Sequence, residues 1–158
     1  MSAEYRTSAD QTIPAGGSAI FDLAPVPCTR GLVYHPNGDP QFRLASPALM
    51  GVQRSGCRCR MPMANYDVAF HGNVAVPEGG TVGQLSLQLA LDGSPNPGSL
   101  MLADPTAAQI FSNVGADIVV SVPWICRCST VALVNTGTDP VTLRAGATIK
   151  FDFTDVTM

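Results

Sequence analysis

Apolar and polar residues alternate one by one along much of this chain. In LSLQLAL, residues 85–91, Leu85, Leu87, Leu89 and Leu91 share one face while Ser86, Gln88 and Ala90 share the other. A period of two fits a strand and no helix. NYDVAFHGNVAV sets Tyr66, Val68 and Phe70 against Asp67, Ala69 and His71, and ATIKFDF sets Ile149, Phe151 and Phe153 against Lys150 and Asp152. ADIVVSV and STVALVN are apolar on both faces, the pattern of strands covered on both sides. SAIFDL, GLVYH and QFRLAS predict further strands nearer the N-terminus.

Turn residues punctuate these runs. Asn37-Gly38 in HPNGDP, the strongest short-range hairpin signal, separates GLVYH from QFRLAS. PEGG, DGSPNPGS and NTGTDP divide the later strands. The best helical stretch is a turn or two in DPTAAQIF, with Asp104 at the N-cap and Pro105 at the first helical position. Eight to ten short strands predict an all-β fold, a two-sheet antiparallel sandwich or jelly roll. Composition does not break anywhere, so residues 1–158 are expected to form one domain, with 1–10 as an N-terminal arm.

Charge sharpens this picture. Only 13% of residues are charged, the net charge is −3, and Lys150 is the single lysine beside eight arginines. An average soluble domain carries about 25% charged residues. Phosphate recognition needs a clustered positive surface, which argues against nucleic acid as a partner. No apolar run approaches the ~20 residues of a spanning helix, which argues against a membrane, and the polar N-terminus lacks a signal-peptide core. Low charge in such a chain points to surface covered by other subunits, in a protein made in a cytosol.

Catalytic chemistry finds little support. Neither His35 nor His71 lies in a metalloprotease motif, and no nucleophile elbow is present. The glycine pairs at 16–17 and 79–80 precede strands, whereas a phosphate loop precedes a helix. The expectation is a protein that is not an enzyme and carries no cofactor or metal. GCRCRM and ICRCST, with Cys57, Cys59, Cys126 and Cys128, raise the alternatives of zinc, a disulfide or packed thiols. On an extended strand each pair splays by roughly 6–7 Å, too far for a local disulfide, whose Cβ atoms lie about 3.8 Å apart. Packed, reduced thiols are the expected state. Arg54, Arg58 and Arg60 form the chain's local basic cluster, either a solvated edge or a contact for an acidic neighbour.

The runs YDVAFHGNVAVPEGGTVGQLSLQLALDGSPNPGSLM and ADIVVSVPWICRCSTVALVNTGTDPVTLRAGATIKFDF resemble jelly-roll domains of the tumour-necrosis-factor and complement-type superfamily. The resemblance is to its bacterial and phage members, including the C-terminal domains of collagen-like spore-coat glycoproteins, and spans about Gln11 to Phe153. It implies a homotrimer with an apolar sheet face around the threefold axis. Tyr66, Val68, Phe70, Ile149, Phe151 and Phe153 are then trimer-interface candidates, or equally ordinary intrachain core. The expected role is a phage virion structural protein, a homotrimeric capsid decoration or cement protein that stabilises the shell by non-covalent contacts. Its partners would be itself and the major capsid protein or another virion protein, and its location the virion surface after synthesis in the host bacterial cytoplasm. Arg54, Arg58 and Arg60, with residues 1–17, are the capsid-contact candidates. The alternative is a receptor- or glycan-binding module of a head fibre or tail, for which Trp124 in SVPWICR is the candidate stacking residue, or else core.

Overall fold

A computed structural model describes residues 2–28, 31–46, 63–123 and 129–157. Its strands are β1 (Ser2–Arg6), β2 (Gln11–Ile13), β3 (Leu23–Val26), β4 (Val33–Tyr34), β5 (Phe42–Leu44), β6 (Met63–Ala75), β7 (Leu85–Leu91), β8 (Ser94–Pro95), β9 (Met101–Ala103), β10 (Ser112–Pro123), β11 (Ser129–Asn135), β12 (Val141–Leu143) and β13 (Thr148–Thr157). No α-helix occurs among the described residues. All pairings are antiparallel. One sheet runs β3-β1-β13-β6, with β10 on the far side of β6 and β12 and β2 continuing beside its C-terminal end. The other runs β4-β5-β11-β7, with β8 and β9 against β7.

The alternation read from the sequence decides which face meets the other sheet. Leu85, Leu87 and Leu89 are buried, as are Val131 and Leu133 on the neighbouring β11, and the facing sheet contributes Tyr66, Val68, Phe70, Ile149 and Phe151. Phe42 ties the layers together, its ring centroid 4.8 Å from Phe151, 4.9 Å from Tyr5 and 5.6 Å from Phe21. Each such ring contributes about 1.5–3 kcal/mol on burial. Turn chemistry works as the sequence predicts in two hairpins. Asp92 and Gly93, both left-handed at φ 50° and 82°, close β7 onto β8, the twist-matched geometry of a two-residue hairpin. Gly38, at φ 83°, turns β4 into β5.

Four expectations change. Residues 1–10 are not an arm, because Ser2–Arg6 form β1 between β13 and β3, with Ala3 and Tyr5 buried. SAIFDL is not a strand. The Ala19 N–H donates to Leu133 O in one sheet and the Asp22 N–H to Arg6 O in the other, so the chain crosses between layers there and the strand begins at Leu23. DPTAAQIF forms turns without a helix, because Gln109 adopts a left-handed φ of 62° and donates its N–H to Val76 O. ADIVVSV is not covered on both faces, because it lies in β10, whose outward residues Asp117, Val119 and Ser121 are exposed.

Candidate interaction surface

The six trimer-interface candidates point inward. Tyr66, Val68, Phe70, Ile149 and Phe151 have no exposed surface within one chain, so a neighbouring subunit cannot touch their side chains. For these five, the alternative of ordinary intrachain core therefore holds over the threefold axis. Period-two alternation shows that a face is apolar, and here the second sheet of the same chain covers it. Burial lifts the Tyr66 phenol well above its usual range, with a smaller contribution from the thiol of Cys28, and its hydroxyl donates to Ala45 O. Phe153, beyond the tight part of the core, is half-buried with its ring 5.6 Å from Tyr66. Arg54, Arg58, Arg60, Trp124 and the four cysteines of the two C-x-C pairs lie outside the described residues.

The outward face of the seven-stranded sheet follows from register. Across β1, β13, β6 and β10 its rows read Ser2–Asp152–Asp67–Val119, then Glu4–Lys150–Ala69–Asp117, then Arg6–Thr148–His71–Gly115. Arg6 pairs with Glu4 at 2.6 Å. The side chains of Lys150, Asp67, Asp117 and Asp152 make no hydrogen bond or ion pair with any described residue, and Asp67 faces Asp152 across the ladder. Like charges in that position are destabilising. Between β6 and β10, Asp67, Ala69, Asp117 and Val119 frame a shallow groove of about 310 Å³. Ala69 forms its floor because the side chain is too short to fill the row. Gly115 lies under the His71 ring, where an added Cβ would come within 2.6 Å of Nδ1.

The aspartates in turns behave differently, since most have local work. Asp92 accepts from Thr130 N at 2.7 Å, Asp10 from Ala145 N at 2.7 Å, and Asp39 from Gln41 N at 2.9 Å. Asp22 accepts from both the hydroxyl and the N–H of Ser8, and these bonds hold its carboxyl below the ordinary value of 3.8.

The outward face of the six-stranded sheet is of another kind. Across β7 and β11 it presents Ser86, Gln88, Ala90, Thr130, Ala132 and Val134, none of them charged. Arg43 and Tyr34 flank it on β5 and β4. Small residues keep this surface flat, with Ala90 and Ala132 nearly buried between their neighbours.

His35 is structural. Its ring stacks on Phe42 with centroids 4.0 Å apart, Nε2 lies 2.7 Å from Phe21 O, and Nδ1 lies 3.1 Å from Gln41 O. These contacts join β4 to the crossing segment before β3. Cys28 is half-buried, and its Sγ accepts from Val33 N at 3.3 Å. Burial, and to a lesser extent Cys28, raises the Tyr5 phenol. Among the described residues no three His, Cys, Asp or Glu side chains group to hold a metal ion.

The solved structure of murine APRIL, of the tumour-necrosis-factor family, superposes on the whole chain with a TM-score of 0.54 and 7% identity, covering 100% of both. The fold is a jelly roll of the tumour-necrosis-factor type. Weaker likenesses are to PRD1 vertex protein P5, with a TM-score of 0.42 at 12% identity over 97% of this chain and 95% of that one. A CBM35 from Cellvibrio japonicus Abf62 gives 0.40 at 7% identity over 99% and 96%. No protein-family model and no curated protein sequence matches the chain.

The groove and the exposed β10 residues were missed by the sequence reading. The available signal was ADIVVSV itself, whose Asp117 breaks the rule that a strand covered on both faces reads as a near-continuous apolar run.

Proposed function

We propose that the protein is a structural component of a bacteriophage virion, a homotrimeric jelly roll that decorates or cements the capsid without catalysis. The observation that carries this reading is the flat, uncharged outer face of β7 and β11, because a surface without charges loses little on being desolvated against another protein. The low overall charge and the resemblance described above support it. A trimer repeated over a shell multiplies modest contacts by valency, so no single contact has to be strong. In this reading the protein is made in the host bacterial cytoplasm and ends on the virion surface, held by the major capsid protein or another virion protein.

Imaging of particles that carry the protein and of particles deleted for it tests the reading. Loss of symmetric density from the shell is the expected result. Loss from a tail tip alone would overturn it in favour of receptor or glycan recognition, as would saturable glycan binding that Trp124→Ala abolishes.

A further inference from the structure

β10 stands out among the sheet edges. Proteins blunt exposed edges by keeping them short, or by placing lysine, proline or a bulge there, because unpaired N–H and C=O groups invite another chain. β2, β4, β8 and β9 have two or three residues each, and β3 has four, with Pro25 inside it and a register irregularity against β1. β10 has twelve residues in unbroken register from Ser112 to Pro123, with no lysine and no proline before its last residue. Among the described residues it pairs with β6 alone. Alternate residues of an antiparallel strand turn their N–H and C=O away from the neighbour, so half of β10 presents its backbone to the free side.

The space beside this strand is open. On its outward face Asn113, Gly115, Asp117, Val119 and Ser121 are all exposed, and Val119 reaches 65%. On its inward face Ile118 and Val120 keep a trace of exposure, whereas Val68 and Tyr66, their partners on β6, have none.

The order of residues along β10 fits a second copy of itself. In an antiparallel pair about a twofold axis, residues equally far from the axis lie opposite each other. With the axis at Val119, that residue meets its own copy, Asp117 meets Ser121 and Gly115 meets Pro123. Inside, Ile118 meets Val120 and Ala116 meets Val122, so the apolar row continues across the contact. An axis at Asp117 would oppose two carboxylates, which is destabilising, and an axis at Ile118 would set Val119 against Asp117. We infer that β10 pairs with β10 of a second copy about a twofold axis at Val119, joining the two seven-stranded sheets into one. Main-chain hydrogen bonds hold such a pair and the side chains select its register. A contact that uses the same patch on both partners closes after two copies, so its number follows from the strand itself. Leu102 takes no part, because it projects from the other sheet beside Ser86. The threefold contact of the proposed function is separate, and neither depends on the other.

Native mass spectrometry, light scattering and amide hydrogen exchange on the purified full chain test this. Wild type is expected as a hexamer where the threefold contact also forms, and as a dimer where it does not. In either, the β10 amides turned away from β6 exchange slowly. Val119→Lys and Val119→Asp each set like charges against each other at the axis. Each variant alone should halve the mass and release those amides to fast exchange, while the amides bonded to β6 stay protected. Mixed in equal amounts, the two variants pair lysine with aspartate and regain the wild-type mass. Ser121→Asp, which sets a carboxylate opposite Asp117, is the second variant should either fail the circular-dichroism check for strand. A wild-type monomer or trimer overturns the contact, as do fast exchange of the outward β10 amides in wild type and variants that keep the wild-type mass. A mixture that stays at the variant mass overturns the axis at Val119. A wild-type dimer supports this contact and overturns only the trimer, so the two readings fail separately.

Discussion

Asn135 is the side chain whose removal tests most sharply how the two sheets are tied together. It ends β11 with no exposed surface. Its Nδ2 donates to Ile13 O at 3.1 Å and to Asp139 O at 2.8 Å, and its Oδ1 accepts from Gly137 N at 2.9 Å. Its own N–H donates to Gly17 O, and its carbonyl accepts from Gly16 N, both at 2.9 Å. The side-chain amide therefore joins the end of β2 to the turn after β11, and the backbone of the same residue bonds Gly16 and Gly17. Asn135→Ala removes three side-chain bonds and leaves their partners in place. The two partners in the half-buried turn can recruit water, at a loss of about 1 kcal/mol each, while the Ile13 carbonyl in the interior costs about 2 kcal/mol. The expected destabilisation is about 4 kcal/mol in total. With a urea m-value of about 2 kcal/mol/M, the midpoint falls by about 2 M. Chain concentration must be held constant across the series, because assembly couples to stability. Asn135→Asp should be worse at neutral pH, since it turns a carboxylate toward two carbonyl oxygens. Thr138→Ala, in the exposed part of the same turn, should stay within about 0.5 kcal/mol of wild type. An Asn135→Ala midpoint shift below about 0.5 M would refute the claim that this amide holds the layers together.

Two further outcomes follow from local contacts in the fold. Gly72→Ala should cost about 1–3 kcal/mol by overpacking, because the new Cβ would come within 2.8 Å of the Phe70 ring and 3.1 Å of Ala147, which urea unfolding measures directly. Asp22 is easier to ionise folded than unfolded, so its stabilisation is complete above the ordinary aspartate value of 3.8 and drains away as pH falls through the lower folded value. Ser8→Ala should return the Asp22 carboxyl toward 3.8, followed by NMR titration, and should flatten the acid limb of the stability curve. An unchanged titration would show that the hydroxyl does not hold it.

The fold class was legible in the sequence to the extent that it is local. Leu85 to Leu91, Tyr66 to Phe70 and Ile149 to Phe153 alternate as they do because a strand turns successive side chains to opposite faces. Asn37-Gly38 and Asp92-Gly93 mark turns for an equally local reason, the left-handed backbone that such residues tolerate. The failures arise where a segment answers to distant partners. SAIFDL has strand-like composition, yet its backbone bonds Leu133 in one sheet and Arg6 in the other. Residues 1–10 are polar, yet β1 is held between β13 and β3.

The candidate surface divides the same way. Sequence alone established that Tyr66, Val68, Phe70, Ile149 and Phe151 occupy apolar faces, and that the chain is short of charge. Only the tertiary structure decided that these faces close on each other within one chain, and that Leu23, Val26, Leu102 and Val119 are among the apolar residues left outside. The pattern along a strand is set by backbone geometry over two residues. What covers the strand is set by elements up to a hundred residues away, and the pattern itself does not name them.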